Sequence, residues 1–374
     1  MALIDVPEFA GELLAEFDSR KASRVNTPVI QPAEPFLNMA GEDLRRRIFM
    51  TESENGESLC LRPEFTIPVC LRHIETATGT PKRYSYLGEV FRQRREGSHE
   101  FFQAGIEDLG DKDLAAADAR AVSDALGILN RLLPSKTLTV TLGDQKVFEA
   151  VVAALGLPLG WQKRLVQAFG DTAQLDNLLE SLVSPKPMTG LDARVAGLLA
   201  TGDEQVLIDY INSVMVETGY STNASRSPAE IARRLREKLA LAATRLPDES
   251  FKLLKEFLAL QAPLSEASKA LSDFAQSADL KIEAALSEFD KRIAALSNAG
   301  VDLSSIIYRA AFGRPLDYYT GLVFEVVEKD GTSVLAGGGR FDRLMNLLGA
   351  SDHIPAVGFA LWLDRVEALS GAKA

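Results

Sequence analysis

The sequence contains few of the residues from which metal centres and nucleophilic active sites are built. Its 374 residues include only two cysteines, Cys60 and Cys70, and three histidines, His73, His99 and His353. So few thiols favour a reducing compartment over a disulfide framework, and we interpret both cysteines as small core residues. The histidines lack metal-ligand spacing, and no Ser or Cys motif of a known catalytic type occurs. We therefore expect no metal, no cofactor and no nucleophilic catalysis.

Long uncharged apolar runs and a surplus of positive charge are also missing. No stretch is long enough to cross a bilayer, and residues 1–8 lack the cationic start and apolar run of a secretory signal. We predict a cytoplasmic protein with no membrane partner. A net charge of -11 repels phosphate backbones, and the basic clusters at 45–47 and 92–95 are too short for an extended nucleic-acid surface.

Three blocks of different pattern follow one another along the chain. Residues 1–145 alternate between helical and extended patterns, residues 145–298 predict helices only, and extended patterns return after Gly300. With 46% hydrophobic residues the chain can bury more than one core. We predict an α+β fold whose mixed core, residues 1–169 and 301–374, is interrupted by a helical insertion at 170–300.

Hydrophobic periodicity predicts individual elements within these blocks. Residues 83–92 and 101–109 are expected to form a β-hairpin, because the polar link at 96–99 contains Gly97. Residues 227–230 form a capping box with Pro at the first helical position, which predicts a helix start. The run of three glycines at 337–339 is expected to bend the chain. Further strands are predicted at 28–30, 59–61, 138–142, 306–311, 319–327 and 334–336, and further helices at 11–21, 66–74, 114–133 and 341–348.

Two charged stretches in the first block have the chemistry of a polar pocket. Glu64 stands where a strand ends and a helix begins, so its carboxylate can accept hydrogen bonds from a ligand ammonium while Thr66 caps the helix. Simple helix-start chemistry explains these residues equally well. Arg92 on a sheet face suits bidentate recognition of a carboxylate or phosphate, and Gln103 and Glu107, four apart on a strand, share a face. Ordinary cross-strand ion pairing is the alternative for this second stretch.

Two further stretches lie in the last block. Arg314, followed by the paired Tyr318 and Tyr319, offers a charged anchor and aromatic hydroxyls in a confined space. A surface turn leading into a strand, with half-buried tyrosines, explains this stretch equally well. The glycines at 337–339 allow the backbone to approach a ligand closely, although a bulge or tight turn needs them too. Together the four stretches supply Glu for an amino group, Arg for a carboxylate, and Tyr, Gln and Glu for a polar side chain, as an amino-acid pocket requires.

The order and the residue patterns of these stretches resemble the sequence motifs of class II histidyl-tRNA synthetases. The run at 61–64, then Phe91-Arg92, then Gln103 with Glu107, is similar to their second motif region. Residues 314–325 are similar to the segment specific to those enzymes, with Pro315 in place of Gly. Residues 338–342 and 355–365 look like their Gly-rich strand and third motif. The resemblance covers residues 25–110 and 300–369 and implies a class II aminoacyl-tRNA synthetase-like antiparallel sheet with flanking helices.

The resemblance also implies roles for single residues. Arg92 and Arg365 would be the pair that grips ATP phosphates, and His99 stands where the family has an Arg that stabilises the reacting phosphate, so these three form a vestigial nucleotide or phosphate site. The residues implied to hold histidine are Glu64, Thr66, Gln103, Glu107, Arg314, Tyr318 and Tyr319.

Several departures from the synthetases argue against adenylation. Arg94 replaces a carboxylate that orients adenosine, Trp362 replaces a Gly of the third motif, and Phe65 replaces another Gly. Stabilisation of the charge that develops in the transition state is usually the largest contribution to catalysis. Losing the residues that provide it therefore argues against adenylation. The chain stops nine residues after Arg365, from which we expect no anticodon-binding domain and no tRNA partner.

These departures are similar to those of the synthetase-like regulatory subunits of ATP phosphoribosyltransferase. The resemblance implies a non-catalytic subunit that binds L-histidine, forms a homodimer, and pairs with a short-form catalytic subunit in a hetero-octamer. It would mediate activation and feedback inhibition in the first step of histidine biosynthesis. Two alternatives remain: a histidyl-tRNA synthetase-like enzyme that adenylates histidine, and an interaction protein with a vestigial pocket.

Overall fold

A computed structural model of the chain describes residues 6–39, 42–95, 97–184, 192–218, 227–314, 318–329, 331 and 333–371. The described residues form two sheets and sixteen α-helices. The strands are β1 (Ser23–Arg24), β2 (Ile30–Pro32), β3 (Met50–Glu52), β4 (Ser58–Leu61), β5 (Lys82–Phe91), β6 (Glu100–Leu109), β7 (Leu138–Asp144), β8 (Gln261–Pro263), β9 (Ile306–Arg309), β10 (Leu322–Glu328), β11 (Val334–Arg340) and β12 (Ala356–Trp362).

The helices surround these sheets and supply most of the middle of the chain. In the part of the chain that the structure describes, no helix is both long and apolar enough to cross a membrane. The helices are α1 (Ala10–Ser19), α2 (Glu34–Met39), α3 (Glu42–Arg45), α4 (Thr66–Glu75), α5 (Leu114–Leu132), α6 (Gln145–Ala154), α7 (Leu159–Gln167), α8 (Thr172–Val183), α9 (Ala193–Thr201), α10 (Glu204–Glu217), α11 (Pro228–Ala243), α12 (Asp248–Ala259), α13 (Leu264–Ser277), α14 (Glu283–Asn298), α15 (Leu344–Leu347) and α16 (Leu363–Ser370).

A nine-stranded sheet forms the centre of the molecule. Its order is β1-β5-β6-β12-β11-β10-β7-β9-β8, and a separate three-stranded sheet has the order β2-β4-β3. All pairs from β5 to β7 in the large sheet are antiparallel, whereas β1/β5 and β7/β9 are parallel. The predicted fold class, a class II synthetase-like antiparallel sheet with helices, is confirmed. The expected hairpin is β5/β6, with Tyr86 opposite Gly105; Glu96 of its link lies outside the described residues.

Side-chain caps explain where several helices begin. Asp113 accepts the backbone N–H of Ala116 at the start of α5, at 3.0 Å. Ser227 accepts the N–H of Glu230 at 3.2 Å, which is the bond that the capping box predicts for α11. Each cap satisfies one of the donors that a helix leaves free at its N-terminus.

Buried apolar residues group into three clusters. The largest joins one side of the sheet to α1, α5, α6–α8, α12–α14 and α16. A second surrounds α4, β5 and the aromatic residues near 318–341, and a third lies among α9, α10 and α11. Residues 145–182 and 246–296 therefore share a core with the sheet, while residues 199–232 bury their own. The division at 170 and 300 stays a prediction.

The glycine run at 337–339 does not bend the chain, contrary to the prediction. β11 continues straight through it, and Gly338 pairs with Phe324 on one side and Phe359 on the other. A Cβ at Gly338 would lie 2.1 Å from the Gly358 carbonyl oxygen. A Cβ at Gly337 would meet the Arg314 guanidinium, and one at Gly339 would meet the Leu322 carbonyl oxygen. The glycines thus allow close approach by neighbouring groups, and no bend is needed to explain them.

The helical middle block also contains a strand that the sequence did not predict. β8 pairs antiparallel with β9 and forms one edge of the large sheet. Its three residues, Gln261 to Pro263, are too few to carry a period-two pattern. Proline at an edge strand is tolerated because no ladder donor is required there.

Candidate functional site

A largely buried cavity, here called the central pocket, lies between the sheet and the start of α4. Its volume is about 110 Å³, whereas one water needs about 10–15 Å³, so it accepts a small organic molecule. All seven residues predicted to hold histidine line it, together with Arg92; His99 and Arg365 do not. The lining residues are Leu44, Arg47, Glu64, Phe65, Thr66, Tyr86, Arg92, Gln103, Glu107, Arg314, Tyr318, Tyr319, Gly337, Phe341, Gly358, Phe359, Ala360 and Trp362.

Glu64 lies at the floor of the central pocket and caps α4. Its two carboxylate oxygens accept the backbone N–H groups of Thr66 at 2.7 Å and Ile67 at 2.9 Å. The expectation that Thr66 caps the helix is therefore wrong: the longer Glu side chain reaches both free N–H groups, and the Thr66 hydroxyl donates to Glu107 at 2.7 Å instead. Burial raises the pKa of Glu64, against the lowering effect of the two N–H groups and Arg92.

Gln103 and Glu107 project from one face of β6 into the central pocket, as their spacing predicts. Both are 1% exposed, yet Gln103 Oε1 and Glu107 Oε2 have no donor within hydrogen-bond distance among the described residues. Burial raises the pKa of Glu107 well above its usual range, and the negative charge of Glu64 adds to that rise. Two buried acceptors without protein donors favour a ligand that carries N–H groups.

Arg314 forms the opposite wall. Its guanidinium lies over Gly337, where a Cβ would stand 2.2 Å from Nη1, and 5.6 Å from the Trp362 ring centre. Its Nη1 is 3.7 Å from a carboxylate oxygen of Glu325. At that distance the ion pair is loose, so the guanidinium keeps donors for a ligand carboxylate. The following residues 315–317, including Pro315, lie outside the described residues.

The two tyrosines close the central pocket beside Arg314. The rings of Tyr318 and Tyr319 are 5.1 Å apart, and Tyr318 packs edge-on against Phe341 at 5.9 Å. Burial raises the pKa of both hydroxyls, so both stay protonated and can donate as well as accept. The next residue, Thr320, bonds through its N–H to the carbonyl of Arg340 at 2.8 Å, which fixes this segment on β11.

The residues proposed as a vestigial phosphate site lie near one another, although only Arg92 lines the central pocket, and the site stays a prediction. The backbone N–H of Arg92 donates to the carbonyl of His99 at 2.9 Å, and the charge of Arg365 acts on Arg92. Arg92 lines the central pocket, where its Nε donates to the Pro63 carbonyl at 2.6 Å and burial lowers its pKa to about 10. Arg365 donates to the Val334 carbonyl at 2.6 Å and lies 5.2 Å from the Trp362 ring. His99 is exposed and accepts the backbone N–H of Arg94 at 3.1 Å.

Arg94 and Trp362, two departures from the synthetase pattern, have structural contacts of their own. The Arg94 guanidinium lies 3.5 Å from the Phe101 ring centre and pairs with Asp364 at 3.1 Å. Trp362 is 7% exposed and its ring lines the central pocket between two guanidinium groups. Trp362 is thus part of the pocket wall, whereas Arg94 does not line the central pocket.

Sequence reasoning did not place Phe65 and Tyr86 among the aromatic residues that line the central pocket. The rings of Phe65 and Tyr86 stack with centroids 4.4 Å apart, and the Arg62 guanidinium lies 4.0 Å from the Phe65 ring. The Tyr86 hydroxyl donates to the carbonyl of Phe359 at 3.2 Å and lies over Gly105, its cross-strand partner. The available signal was the glycine, which leaves room for a large side chain on the neighbouring strand.

A buried chain of ion pairs fastens the Gly-rich strand behind the central pocket. Arg340, 1% exposed, binds Asp118 and Asp342, at 2.6 and 2.8 Å. Asp118 also accepts from Arg292 at 2.9 Å, and Arg292 binds Asp144 at 2.6 Å. These five residues join β11 to α5, α14 and the start of α6. The sequence contains no local signal for this chain, since three of its four pairs join residues more than a hundred positions apart.

The sequence of the chain matches one family model and is similar to several known proteins. A family model described as histidyl-tRNA synthetase matches residues 6–216 and 211–366. A regulatory subunit of ATP phosphoribosyltransferase from Agrobacterium fabrum (strain C58 / ATCC 33970) is 81% identical over 372 residues, covering 100% of this chain and 99% of that protein. Another of the same name from Rhizobium rhizogenes (strain K84 / ATCC BAA-868) is 71% identical, covering 100% of both.

Solved structures with low sequence identity share the fold. One, from Bacillus halodurans C, is described as an ATP phosphoribosyltransferase regulatory subunit/histidyl-tRNA synthetase. It has a TM-score of 0.66 at 19% identity and covers 97% of this chain and 78% of that chain. The histidyl-tRNA synthetase of Nostoc sp. PCC 7120 has a TM-score of 0.64 at 15% identity, covering 98% and 75%. At these identities the likeness concerns the fold alone.

Proposed function

The chain belongs to the ATP phosphoribosyltransferase regulatory subunits, a family with the histidyl-tRNA synthetase-like fold, and from this premise we propose that it binds L-histidine in the central pocket. A regulatory subunit is not itself the catalytic enzyme. Its partner in this proposal is a short-form ATP phosphoribosyltransferase catalytic subunit, which it activates and through which histidine inhibits the first step of histidine biosynthesis. Coupling of this kind requires that histidine bind one state of the assembly more tightly than another.

The observation that carries the proposal is the pair of buried acceptors on β6. Gln103 Oε1 and Glu107 Oε2 lack donors within hydrogen-bond distance, and the ring of histidine carries one N–H group when neutral and two as an imidazolium. Glu64, although it caps α4, keeps further lone pairs for an ammonium group. Arg314 across the pocket suits a carboxylate. The pocket thus supplies one complementary group for each polar part of histidine.

Loss of adenylation is the second part of the proposal. Trp362 lines the central pocket, and Arg94 replaces a carboxylate in the motif. Arg92 donates one hydrogen bond to a backbone carbonyl, and Arg365 donates one to a backbone carbonyl outside the pocket. These contacts support a site that holds an amino acid without activating it. The net charge of -11 supports the absence of a tRNA partner.

A homodimer and a cytoplasmic location complete the proposal. Ile30 on β2 and Met50 on β3 are about half exposed and stand on the two edge strands of the small sheet. Open strand edges with exposed apolar side chains favour pairing with another chain. A second copy of this chain is the proposed occupant.

The test is phosphoribosyl-ATP formation by the short catalytic subunit from the same source. It is measured with and without this chain, across a histidine titration. We expect activation by the chain and inhibition by histidine only when the chain is present. Absence of activation would contradict the proposal.

A histidyl-tRNA synthetase-like enzyme is the competing function, because the family model and fold are shared with those enzymes. Histidine-dependent exchange of pyrophosphate into ATP distinguishes the two. We expect no exchange above background, and robust turnover would favour the enzyme.

A further inference from the structure

Two carboxyl groups lie buried in the central pocket, and they differ in what surrounds them. Glu64 accepts two backbone N–H groups at the start of α4 and is close enough to Arg92 to feel its charge. Glu107 accepts the hydroxyl of Thr66, and the Tyr86 hydroxyl is close enough to lower its pKa as well, but its Oε2 has no donor within hydrogen-bond distance among the described residues. Hydrogen bonds and positive charge favour an ionised carboxylate, so Glu64 is the better site for the negative charge.

Glu107 Oε2 faces the neighbouring strand β12 at close range. Its cross-strand partner is Gly358, and a Cβ there would lie 1.7 Å from Oε2. The titratable side chains that act on Glu107 or feel its charge bring no positive charge to it. These side chains are Glu64, Cys70, Tyr86, Tyr318 and Tyr319.

Two like charges in one buried site are not both held at neutral pH. Burial raises the pKa of both carboxyl groups, but the pKa of Glu107 is raised well above its usual range by burial and by Glu64, against the hydroxyls of Thr66 and Tyr86. Of the two carboxyl groups, Glu107 is therefore the one whose surroundings favour the neutral form.

Binding of histidine changes this balance. A neutral imidazole has one N–H donor, whereas an imidazolium has two and a positive charge. The central pocket offers two acceptors without donors, Gln103 Oε1 and Glu107 Oε2. An imidazolium beside an ionised Glu107 satisfies more of these groups than a neutral ring beside a neutral carboxyl.

We propose that Glu107 holds a proton in the empty pocket and passes it to the imidazole of the histidine that binds. The O–H bond of the Glu107 carboxyl breaks, an N–H bond forms on a ring nitrogen, and the product is an imidazolium paired with a carboxylate. No proton is drawn from or released to solvent in this step. The proposal rests on histidine binding in the central pocket, and what it adds is the source of the proton on the bound ring.

Two measurements at pH 7.5 test the transfer together. The first is calorimetric titration of histidine into the full chain in two buffers of different ionisation enthalpy, which counts protons exchanged with solution. The second is the ¹⁵N NMR spectrum of ring-labelled histidine in the complex, which distinguishes imidazolium from the neutral tautomers. Free histidine is only about one-tenth imidazolium at this pH, so a bound imidazolium must have gained a proton.

We expect a bound imidazolium with net proton exchange near zero. Uptake of nearly one proton with an imidazolium bound would mean that Glu107 is ionised in the empty pocket and would overturn the proposal. A neutral bound ring would overturn it too. Failure of histidine to bind at all would instead overturn the proposed function.

The variant Glu107→Gln tests whether Glu107 is the group that gives the proton to the bound ring. This variant keeps the shape of the side chain and loses the proton, and we expect affinity to fall by at least about tenfold. Its bound ring should be neutral, or imidazolium formed with uptake of a proton from the buffer. An imidazolium formed in Glu107→Gln without uptake would mean that another group is the donor. Lys252→Gln, at a largely exposed helix position, is the matched control and should match the unmodified chain in both measurements.

Discussion

Replacing Arg292 by Met should destabilise the protein strongly, because it breaks the buried chain of ion pairs behind the central pocket. Arg292 is 3% exposed and donates to Asp118 at 2.9 Å and to Asp144 at 2.6 Å. Removing one partner of a buried ion pair typically costs about 3–5 kcal/mol. We expect about 3 kcal/mol, the lower end, because Asp118 keeps Arg340 and Asp144 keeps the backbone N–H groups at the start of α6.

The loss of stability in Arg292→Met should depend on pH in a defined direction. Burial raises the pKa of Asp118, against the lowering effect of Arg340 and Arg292. Without Arg292 that pKa rises further, so the folded variant holds a proton on Asp118 more tightly than the unfolded chain does. Stability from such a group is present below the unfolded pKa and is lost as pH rises through the folded pKa. The loss should therefore be larger at pH 8 than at pH 6.

The assay is urea unfolding followed by circular dichroism, which yields the free energy of unfolding at each pH. Arg233→Met is the matched control. Arg233 forms an exposed pair with Glu237 on α11, and its loss should change the free energy of unfolding by less than about 0.5 kcal/mol. If Arg292→Met costs no more than this control, the reasoning about the buried ion chain is refuted.

Two further substitutions test local features. Gly358→Ala would place a Cβ 1.7 Å from Glu107 Oε2. The dissociation constant for histidine, measured by calorimetric titration, should therefore rise at least about tenfold. Gly197→Ala, with no atom within 4 Å of its Cβ, should leave that dissociation constant unchanged. Asp171→Ala removes the side-chain cap of α8 and should lower the free energy of unfolding by about 1 kcal/mol in urea; no change would mean that the cap contributes nothing.

The fold was predicted best in elements long enough to show several periods of the hydrophobic pattern. The two ten-residue strands β5 and β6 and the nineteen-residue helix α5 follow their predicted bounds to within one or two residues. Short elements were predicted poorly, because three residues such as those of β8 carry no period. The straight course of β11 could not be predicted, since the same glycines are compatible with a bend and with close strand contact, and only the position of β12 decides between them.

The candidate site was predicted through side-chain chemistry more than through backbone geometry. Gln103 and Glu107 were placed on one face because a strand has a period of two. The capping role assigned to Thr66 was wrong, because a residue-type preference does not tell how far the neighbouring Glu64 reaches. The contribution of Tyr86 was missed, because it depends on the strand that pairs with its own.

The most direct test of the account is whether the central pocket is the site through which histidine inhibits. Phosphoribosyl-ATP formation is measured in the complex of this chain with the short catalytic subunit, with each variant's rate without histidine as its reference. Gln103→Leu removes a buried acceptor that lacks a donor, and Lys252→Gln changes only the surface. We predict that Gln103→Leu raises the histidine concentration for half-inhibition at least about tenfold and that Lys252→Gln does not. Inhibition of Gln103→Leu at the same histidine concentration as the unmodified complex would contradict the account.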